Sequence, residues 1–452
     1  MSIIPLSSLM SLPLQSGRMV AQDITGGFSF ERFRADVAVN AARLASTGCR
    51  RVALLCSDTY VLAVGLLAAL HAGARPIFPL STADGALSRL AGEFELIVGD
   101  GEVATFRVEP SAVPVGPLPS LNPEEAIVGF FTSGSSGDPK LVAKPLLMLE
   151  REVKVLDALW GATLADAPVL ATVPHHHVYG LTFKVLWPLA AGRPFSRQTH
   201  QHWEAVAADM ARGGVLVTGP SHLSRITGLA PLSAQQRPAL VLSAGAPLPA
   251  QAAREATAVL GVPVTEIFGS SETGVIAHRI GDGGEHPWRM FPGVSVSIGD
   301  EGRLLIRSPF LAEDKWFETG DLAETTPNGF RLCGRGDRVA KIEGKRVSLP
   351  EVERQLMDLP WVAETAVAVL PGEQATLGAV VVLTDKGRTL LADTGAFRLG
   401  RLLRQALARS GDLSAMPRRW RFPESLPVNA MGKRRDADIV ALFNGKTAEA
   451  TP

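Results

Sequence analysis

Residues 126–140 read AIVGFFTSGSSGDPK, an apolar run followed at once by a loop of small and polar residues. From Thr132 to Gly137 the loop carries four hydroxyl side chains and two glycines, and the segment ends at Lys140. Glycines let backbone N–H groups converge on an anion, hydroxyls donate further hydrogen bonds, and a lysine supplies positive charge. The pattern therefore favours a polyphosphate-binding loop, although a Ser/Gly-rich surface turn fits the same residues. A Walker A loop is excluded, because no Gly-Lys-Ser/Thr closes the segment.

The chain around this loop alternates short apolar runs with helical patterns. The loop itself follows such a run and precedes a helix-compatible stretch, and clear helical patterns span 60–71, 146–159 and 249–260. This alternation predicts βαβ units and a mostly parallel sheet that is buried on both faces. About 330 residues of the pattern exceed one ordinary domain, so we expect two packed subdomains. The apolar runs begin at Arg51, Pro76, Glu95, Ala126, Pro168, Gly214, Ala239 and Pro263.

The composition changes after Gly329, where a Gly- and Arg-rich segment introduces the final part of the chain. We predict an α/β protein with a large N-terminal domain of packed βαβ-type subdomains, residues 1–335, and a small α+β domain, residues 336–452. A hinge is expected near Arg335–Arg338. In the small domain the pattern predicts strands at 339–342, 361–370, 377–383 and 418–422, with helices at 349–359 and 397–408.

Composition excludes several classes of protein. The 452 residues carry 45 basic and 45 acidic side chains, so no excess charge attracts a nucleic acid. Three cysteines are too few for a disulfide framework, no Cys-x-x-Cys pair indicates zinc, and we expect buried thiols in a reducing compartment. The longest apolar run, 61–70, is half of the about 20 residues that cross a bilayer. Because no secretion signal is evident at the N-terminus either, we expect a cytoplasmic protein without a membrane span.

The loop and several later motifs together resemble the adenylate-forming superfamily. This group includes acyl- and aryl-CoA synthetases, luciferases and the adenylation domains of peptide synthetases. The resemblance runs from about residue 125 to Lys433, with the motifs in the order and spacing of the family. It implies an acyl-CoA synthetase-like fold with a mobile C-terminal domain. It also implies that the loop binds the phosphates of ATP through Thr132, Ser133, Gly134, Ser135, Ser136, Gly137 and Lys140.

Two further motifs resemble segments that hold the nucleoside. The turn SAGAPLP at 243–249 is similar to the turn along which adenine lies in the family, although any strand-to-helix turn can read this way. The segment FETGDLAE at 317–324 carries a Thr-Gly-Asp signature, which implies that Asp321 accepts hydrogen bonds from both ribose hydroxyls. The adenine-turn residues implied by the resemblance are Gly245, Ala246 and Pro247.

Residues 266–274, EIFGSSETG, resemble the family motif usually written Tyr-Gly-x-Thr-Glu. The resemblance implies that Phe268 packs on adenine in place of the tyrosine and that Ser271 donates to the α-phosphate. Glu272 would hold Mg²⁺, which prefers one or two carboxylates together with phosphate oxygens. A helix N-cap at Ser270 or Ser271 is an alternative interpretation, and it is compatible with anion binding.

Residues 174–180, PHHHVYG, resemble the segment that borders the acyl pocket in the family. The resemblance implies an acid pocket lined by His177 and Gly180 together with Gly269 and Gly274, and Gly269 is also implied in nucleotide binding. Three adjacent histidines could bind a metal instead. Neighbouring side chains on a strand point to opposite faces, however, so at most two of them could share an ion.

The C-terminal part contains two more matches. Residues 334–353 resemble the domain junction of the family, which implies that Arg335 contacts ribose or phosphate and that Asp337 is the hinge. Gly344 would lie beside the path of the pantetheine arm. The segment LPVNAMGKRRD, 426–436, resembles the catalytic-lysine segment, with Lys433 as the lysine. The alternative interpretation is a solvated surface segment, which is the usual role of an isolated basic run.

These resemblances imply an AMP-forming acid–thiol ligase. ATP and Mg²⁺ would convert a carboxylate to acyl-AMP, and the pantetheine thiol of CoA or of an acyl carrier protein would take the acyl group. The short chain, the segment around His177 and the sequence Gly-Ser-Ser-Glu-Thr-Gly resemble activators of aryl acids and short-chain acids more than long-chain fatty-acid enzymes. We expect an aromatic acid, such as a benzoate or hydroxybenzoate, with a short- or medium-chain fatty acid as the alternative. A non-catalytic binding protein of the same fold is the other alternative. The residues implied in catalysis are Lys433, Glu272, Ser271 and Thr132.

Overall fold

The chain folds into two compact units, Met1–Ser295 with Arg307–Lys315 and Val296–Ile306 with Trp316–Pro452. The predicted boundary between residues 335 and 336 lies inside the second unit. That the chain moves as two domains about this boundary stays a prediction. The computed structural model describes residues 3–13, 17–23, 26–79, 87, 90, 92–111, 113–133, 139–210, 213–342, 345–371, 376–407, 416–427, 434 and 436–444.

Within the described residues the strands are β1 (Met19–Asp23), β2 (Gly26–Ser29), β3 (Arg51–Leu55), β4 (Arg75–Phe78), β5 (Leu96–Gly99), β6 (Phe106–Arg107), β7 (Ile127–Ser133), β8 (Pro139–Pro145), β9 (Val169–Ala171), β10 (Phe195–Ser196), β11 (Val215–Thr218), β12 (Leu240–Ser243), β13 (Val264–Ser270), β14 (Gly274–Gly281), β15 (Arg289–Met290), β16 (Ser295–Ile298), β17 (Arg303–Arg307), β18 (Phe317–Thr326), β19 (Gly329–Arg335), β20 (Val339–Ile342), β21 (Lys345–Ser348), β22 (Val362–Leu370), β23 (Thr376–Leu383) and β24 (Arg419–Arg421).

The helices are α1 (Phe30–Thr47), α2 (Thr59–His71), α3 (Leu146–Leu164), α4 (Val178–Gly180), α5 (Trp187–Ala191), α6 (Trp203–Met210), α7 (Pro220–Leu223), α8 (Ala250–Leu260), α9 (Leu349–Met357), α10 (Asp385–Leu407) and α11 (Asp436–Asn444). A π-helical stretch, Leu181–Leu186, joins α4 to α5, and 3₁₀ turns lie at Leu6–Ser8, Ala234–Gln236, Asp300–Gly302 and Gly336–Arg338.

The first unit contains a nine-stranded sheet in the order β15-β14-β13-β12-β11-β9-β10-β1-β2. Neighbouring strands from β13 to β1 in this order pair in parallel, and antiparallel strands complete both edges. Leu216, Val241 and Val264, from three adjacent strands, are fully buried and pack with Ala256 and Leu260 of α8. Complete burial stabilises each large aliphatic side chain by about 1.5–3 kcal/mol relative to exposure. The predicted apolar runs therefore form the centre of a parallel sheet that is covered by helices.

The second sheet of this unit follows the order β6-β5-β3-β4-β7-β8. Its strands pair in parallel except for β8, which forms an antiparallel hairpin with β7. Strand β8 follows the loop, and α3 then begins at Leu146, where the predicted helical pattern begins. Pro145 gives the physical reason. The residue before a proline is disfavoured in the α region, so the helix cannot begin earlier.

The second unit contains a four-stranded sheet, β16-β17-β18-β19, the hairpin β20-β21 and a three-stranded sheet, β22-β23-β24. Its largest core buries Leu356 of α9, Val381 of β23 and Leu399 and Leu403 of α10. The strands predicted at 339–342, 361–370, 377–383 and 418–422 are confirmed as β20, β22, β23 and β24, and the helix predicted at 349–359 is confirmed as α9. The predicted helix at 397–408 is longer, however, because α10 begins at Asp385 and continues through a break at Gly395.

Two expectations from composition can be compared with the structure. Cys49 and Cys56 are partly buried, but Cys333 is exposed, so the prediction of three buried thiols is wrong for Cys333. It lies on β19, in a sheet whose strands alternate between exposed and covered side chains. Among the described residues, no helix has the length and apolar character that a membrane crossing requires.

Candidate active site

The β7–β8 hairpin places three polar side chains on one face of the smaller sheet. Thr132 lies opposite Lys140, and Val128 lies opposite Lys144 four residues further along β8. Directly opposite residues share a face, as do residues two and four apart on one strand, so Thr132, Lys140 and Lys144 point the same way. The hydroxyl of Thr132 donates to the carbonyl oxygen of Lys140 at 3.3 Å. The predicted phosphate-loop residues Gly134, Ser135, Ser136 and Gly137 lie outside the described residues, as does the side chain of Ser133.

The segment 266–274 forms the turn of the β13–β14 hairpin, with Ser271 and Glu272 half-buried at its tip. The backbone N–H of Ser270 donates to the Thr273 hydroxyl oxygen at 3.0 Å, and the N–H of Thr273 donates to Ser270 Oγ at 3.2 Å. These reciprocal bonds close the turn, and the chain continues as strand β14. The alternative interpretation of a helix N-cap at Ser270 or Ser271 is therefore wrong.

Two of the three glycines predicted in the acid pocket, Gly269 and Gly274, are required by the close packing of this hairpin. A Cβ atom at Gly269 would lie 2.3 Å from the carbonyl oxygen of Gly274. Gly274 has a φ of +67°, and a Cβ there would lie 3.2 Å from the carboxylate oxygens of Glu152 and 3.1 Å from Cβ of Phe310. Side chains are excluded from both positions, so the backbone of the turn lies directly against its neighbours.

A buried pair of opposite charges lies behind the turn, and sequence reasoning missed it. Lys144 on β8 is 2% exposed and Glu152 on α3 is 3% exposed. Burial lowers the pKa of Lys144, whereas the charges of Glu152 and Glu272 oppose that shift. Burial likewise raises the pKa of Glu152, opposed by Lys144 and by the N–H of Val275, which donates to Glu152 Oε1 at 2.9 Å. Lys144 on the loop hairpin and Glu272 on the turn are therefore near enough for their charges to influence each other. The sequence signal that could have revealed Lys144 is its spacing of four residues from Lys140, which places both side chains on the same face of a strand.

Hydroxyl groups collect where the parallel strands of the larger sheet end. Thr218 ends β11 and Ser243 ends β12, and the two residues are register partners. The hydroxyls of Thr172 and Thr218 are 2.7 Å apart. Tyr179 is partly buried, and this burial raises the pKa of its phenol, whereas the nearby backbone of Thr218 opposes the shift. Ser243 Oγ has no hydrogen-bond partner among the described residues, and the Tyr179 hydroxyl, although the backbone of Thr218 lies near it, has no well-formed hydrogen bond there. Open parallel sheets bind ligands at these carboxyl ends.

The three adjacent histidines have different environments. His177 is half-buried at the start of α4, and its ring centroid lies 4.3 Å from that of His176. His175 is buried, with Nδ1 2.9 Å from the Thr59 hydroxyl and Nε2 2.8 Å from the carbonyl oxygen of Cys56. Because both ring nitrogens of His175 are engaged, it cannot join a metal site. Over the described ranges, no group of three or more His, Cys, Asp and Glu side chains is arranged to hold a metal ion.

The burial of His175 predicts a pH-dependent loss of stability. Burial and the charge of Lys184 lower the pKa of His175 to about 3, whereas an unfolded histidine titrates near 6.5. Below pH 6.5 the unfolded chain therefore binds a proton that the folded chain excludes, which destabilises the fold by about 1.4 kcal/mol per pH unit. Replacing His175 with glutamine should reduce the stability difference between pH 7 and pH 5 by about 2 kcal/mol in urea unfolding. The exposed His202→Gln variant is the control. Equal pH dependence in His175→Gln and wild type would contradict the expectation.

Gly180 has a packing role in addition to its predicted place in the acid pocket. A Cβ atom there would lie 2.0 Å from the carbonyl oxygen of Pro174. Gly180→Ala must therefore displace the segment 174–180, and we expect a destabilisation of about 1–3 kcal/mol in thermal or urea unfolding. Gly116→Ala is the matched control, because no atom lies within 4 Å of the added methyl group. A Gly180→Ala protein as stable as the control would show that the loop can move without cost.

The predicted adenine turn is exposed between β12 and α8. Gly245 has a φ of +96°, no atom lies within 4 Å of the position that a Cβ would take, and Ala246 and Pro247 are also exposed. The predicted adenine-stacking residue, Phe268, is half-buried with its ring centroid 5.6 Å from that of Trp288. One face of the turn therefore remains accessible for a flat ligand.

The remaining predicted residues belong to the second unit. Asp321 on β18 is the register partner of Arg335 on β19, and Oδ1 of Asp321 lies 4.0 Å from Nη1 of Arg335. The backbone of Asp337 is part of the 3₁₀ turn after β19, but its side chain lies outside the described part of the chain. Gly344 and Lys433 are not among the described residues either.

Comparison with known proteins agrees with the resemblance seen in the sequence motifs. The family described as AMP-binding enzyme matches residues 81–313. The 4-coumarate–CoA ligase of Rhodobacter capsulatus is 33% identical over 319 residues, which are 70% of this chain and 76% of that protein. The indoleacetate–CoA ligase of Aromatoleum aromaticum is 27% identical over 377 residues, 73% of this chain and 69% of that protein.

Solved structures show the same fold. ATP-bound MatB from Rhodopseudomonas palustris aligns with a TM-score of 0.82 and 22% identity, covering 98% of this chain and 99% of that one. A benzoate CoA ligase from Burkholderia xenovorans aligns with a TM-score of 0.74 and 20% identity, covering 94% and 97%. These alignments confirm the predicted α/β fold class with its large N-terminal and small C-terminal parts.

Proposed function

Because the chain belongs to the adenylate-forming family of AMP-binding enzymes and is an AMP-forming acid–CoA ligase, we propose that its acid is aromatic, such as a benzoate or a hydroxybenzoate. Two relatives support this choice, since one is named for 4-coumarate and another for indoleacetate. The proposed substrate places its ring among the ends of β11 and β12 and its carboxylate towards the Glu272 turn.

The observation that carries this proposal is two buried hydroxyl groups, on Tyr179 of α4 and on Ser243 at the end of β12, which have no well-formed hydrogen bond among the described residues. Buried polar groups without hydrogen bonds are costly, and a ligand that supplies the missing partner recovers that cost. Tyr179 and Ser243 are such groups, and Thr218 lies between their segments. A ring hydroxyl donates and accepts one hydrogen bond each, so a hydroxybenzoate matches them better than an alkyl chain does. His177, Gly180, Gly269 and Gly274 form the wall of the proposed pocket.

The chemistry requires a better leaving group than oxide. The acid carboxylate attacks the α-phosphorus of ATP, pyrophosphate leaves, and the acyl group is then joined to AMP. Catalysis of such a step consists mainly of positioning and neutralisation of charge. We assign these roles to Thr132 and Ser271 as hydroxyl donors and to Lys433 as the cation, with the loop residues 132–137 and Lys140 around the phosphates.

Mg²⁺ fits the residues present. Glu272 offers a half-buried carboxylate whose charge reaches Lys144 of the phosphate-loop hairpin, and Mg²⁺ needs no more than one or two carboxylates when phosphate oxygens complete its shell. When bound, the ion neutralises negative charge on the phosphate oxygens. Phe268 with the turn Gly245–Pro247 receives adenine, and Asp321 and Arg335 receive the ribose in this proposal.

The thiol step requires a second arrangement, because the thiolate must reach the acyl carbonyl carbon as AMP leaves. We propose that residues 336–452 rotate about Asp337 relative to residues 1–335, which withdraws Lys433 and brings Gly344 beside the pantetheine arm. A few backbone dihedral angles can absorb such a rotation. The acceptor is CoA, and the pantetheine arm of an acyl carrier protein is a second acceptor to be tested.

The substrate proposal is tested by thioester formation with a panel of acids. Initial rates with ATP, Mg²⁺ and CoA should give the highest kcat/KM for 4-hydroxybenzoate, benzoate or 4-coumarate, and values at least tenfold lower for acetate, butyrate and octanoate. A preference for the alkyl acids would reject the aromatic proposal and favour a fatty-acid ligase. Parallel reactions with phosphopantetheinylated carrier protein in place of CoA decide the acceptor.

A further inference from the structure

The unexplained feature of the first unit is the buried charge pair behind the Glu272 turn. The ammonium of Lys144 and the carboxylate of Glu152 lie in the interior, at 2% and 3% exposure. Neither Nζ of Lys144 nor Oε2 of Glu152 has a hydrogen-bond partner within the described ranges. No ion pair joins Lys144 to Glu152 among the described residues, and a buried charged group without such a partner lowers stability because its hydration is lost. Stability alone therefore does not account for this pair.

The contacts of the pair lead to Glu272. Oε1 of Glu152 accepts a hydrogen bond from the N–H of Val275, the residue three positions after Glu272, and its carboxylate lies against the Cα of Gly274. Glu152 therefore holds the beginning of β14. Lys144 lies on the hairpin face that also carries Thr132 and Lys140, and it is near enough to Glu152 and Glu272 for their charges to oppose the lowering of its pKa by burial.

We propose that Lys144 and Glu152 are positioning residues for adenylation: the pair fixes the β13–β14 turn and attracts the Glu272 carboxylate towards the phosphate-loop hairpin. This inference rests on the proposed function of Glu272. Groups that orient a metal-binding carboxylate change metal affinity or activity by about 10–100-fold when they are removed. The pair would act through Glu272 and touch neither the nucleotide nor the acid.

The experiment is a mutant cycle between the pair and Glu272 in the full-length protein. Lys144→Met/Glu152→Gln removes both buried charges with little change in volume, so no isolated charge remains in the interior. We expect this double variant to lower acid-dependent exchange of pyrophosphate into ATP by about 10–100-fold, relative to wild type. In a Glu272→Gln background the same two substitutions should change the rate by less than threefold, since residues that act through one another are not additive.

A binding measurement provides the second readout. Calorimetry with a non-hydrolysable ATP analogue gives the ratio of dissociation constants without and with Mg²⁺, and this ratio should fall in Lys144→Met/Glu152→Gln but not in Lys154→Met. Lys154 is the matched control, since it is an exposed lysine on the same helix as Glu152. A purely structural pair would leave the Mg²⁺ ratio unchanged and would lower exchange equally in both backgrounds.

The outcomes are distinguishable. A folded double variant with exchange within twofold of wild type, or equal losses with and without Glu272, overturns the positioning role alone. Wild-type protein that shows no exchange with any acid overturns the proposed function and this inference with it. If the double variant does not fold, Lys144→Gln/Glu152→Gln serves instead, because it also removes both buried charges and keeps a side-chain carbonyl at position 152 that accepts from Val275 N–H. The same cycle with Glu272→Gln applies.

Discussion

Lys433→Ala should lower acid-dependent pyrophosphate exchange by about 10²–10³-fold, the usual loss when one contact to developing charge is removed. The reason is that the ammonium is needed only while negative charge builds up around the α-phosphorus. The thiol step uses a different arrangement, in which Lys433 is withdrawn. Thioester formation from chemically prepared acyl-AMP and CoA should therefore remain within a few-fold of the wild-type rate.

The two half-reactions must be measured on the same preparation. Lys386→Ala is the matched control, because Lys386 is an exposed lysine on α10 outside the proposed site. It should match wild type in both assays. Equal losses in the two half-reactions for Lys433→Ala would contradict the assignment, since they would indicate a general defect of the small domain and not a role in adenylation.

The second large effect is expected for Glu272→Gln. The amide keeps the size of the side chain and removes the charge that we assign to Mg²⁺, so exchange should fall by about 10²–10³-fold. Because Glu272 lies half-buried at the tip of a turn closed by Ser270 and Thr273, the substitution should leave the thermal midpoint nearly unchanged. Exchange rates of wild type and Glu272→Gln check the expected loss of activity, and their thermal unfolding curves check the expected stability.

Glu204→Gln provides the control for Glu272→Gln, because Glu204 is an exposed glutamate on α6. It should retain full exchange. If Glu272→Gln also retained its rate and its Mg²⁺ requirement, another carboxylate would have to hold the ion, and the assignment of the 266–274 motif would be wrong.

The parallel strands could be predicted because burial on both faces leaves a clear trace in the sequence. Val215–Thr218 and Leu240–Ser243 are short, almost wholly apolar runs, and both lie in the centre of the larger sheet. The antiparallel strands β16–β19 were missed, since their side chains are alternately exposed and the runs contain charged residues. Strand β8 was missed for a similar reason, as two lysines interrupt its apolar positions.

The site was predictable only where residue type and local spacing carry the chemistry. Thr132, Glu272 and Asp321 belong to short motifs with recognisable letters. Lys144 and Glu152 do not, because their relation depends on the packing of α3 against the β13–β14 turn, across more than a hundred residues of chain. The buried hydroxyls of the proposed acid pocket are likewise visible only in the folded chain.

The most direct test of the account is acid-dependent exchange of labelled pyrophosphate into ATP by the wild-type protein. With Mg²⁺ present, we predict rapid exchange on addition of 4-hydroxybenzoate or another aromatic acid, and background exchange without an acid. Exchange at the background rate with every acid of the panel, in a protein that is folded and supplied with ATP, would contradict the claim that this chain forms acyl-AMP.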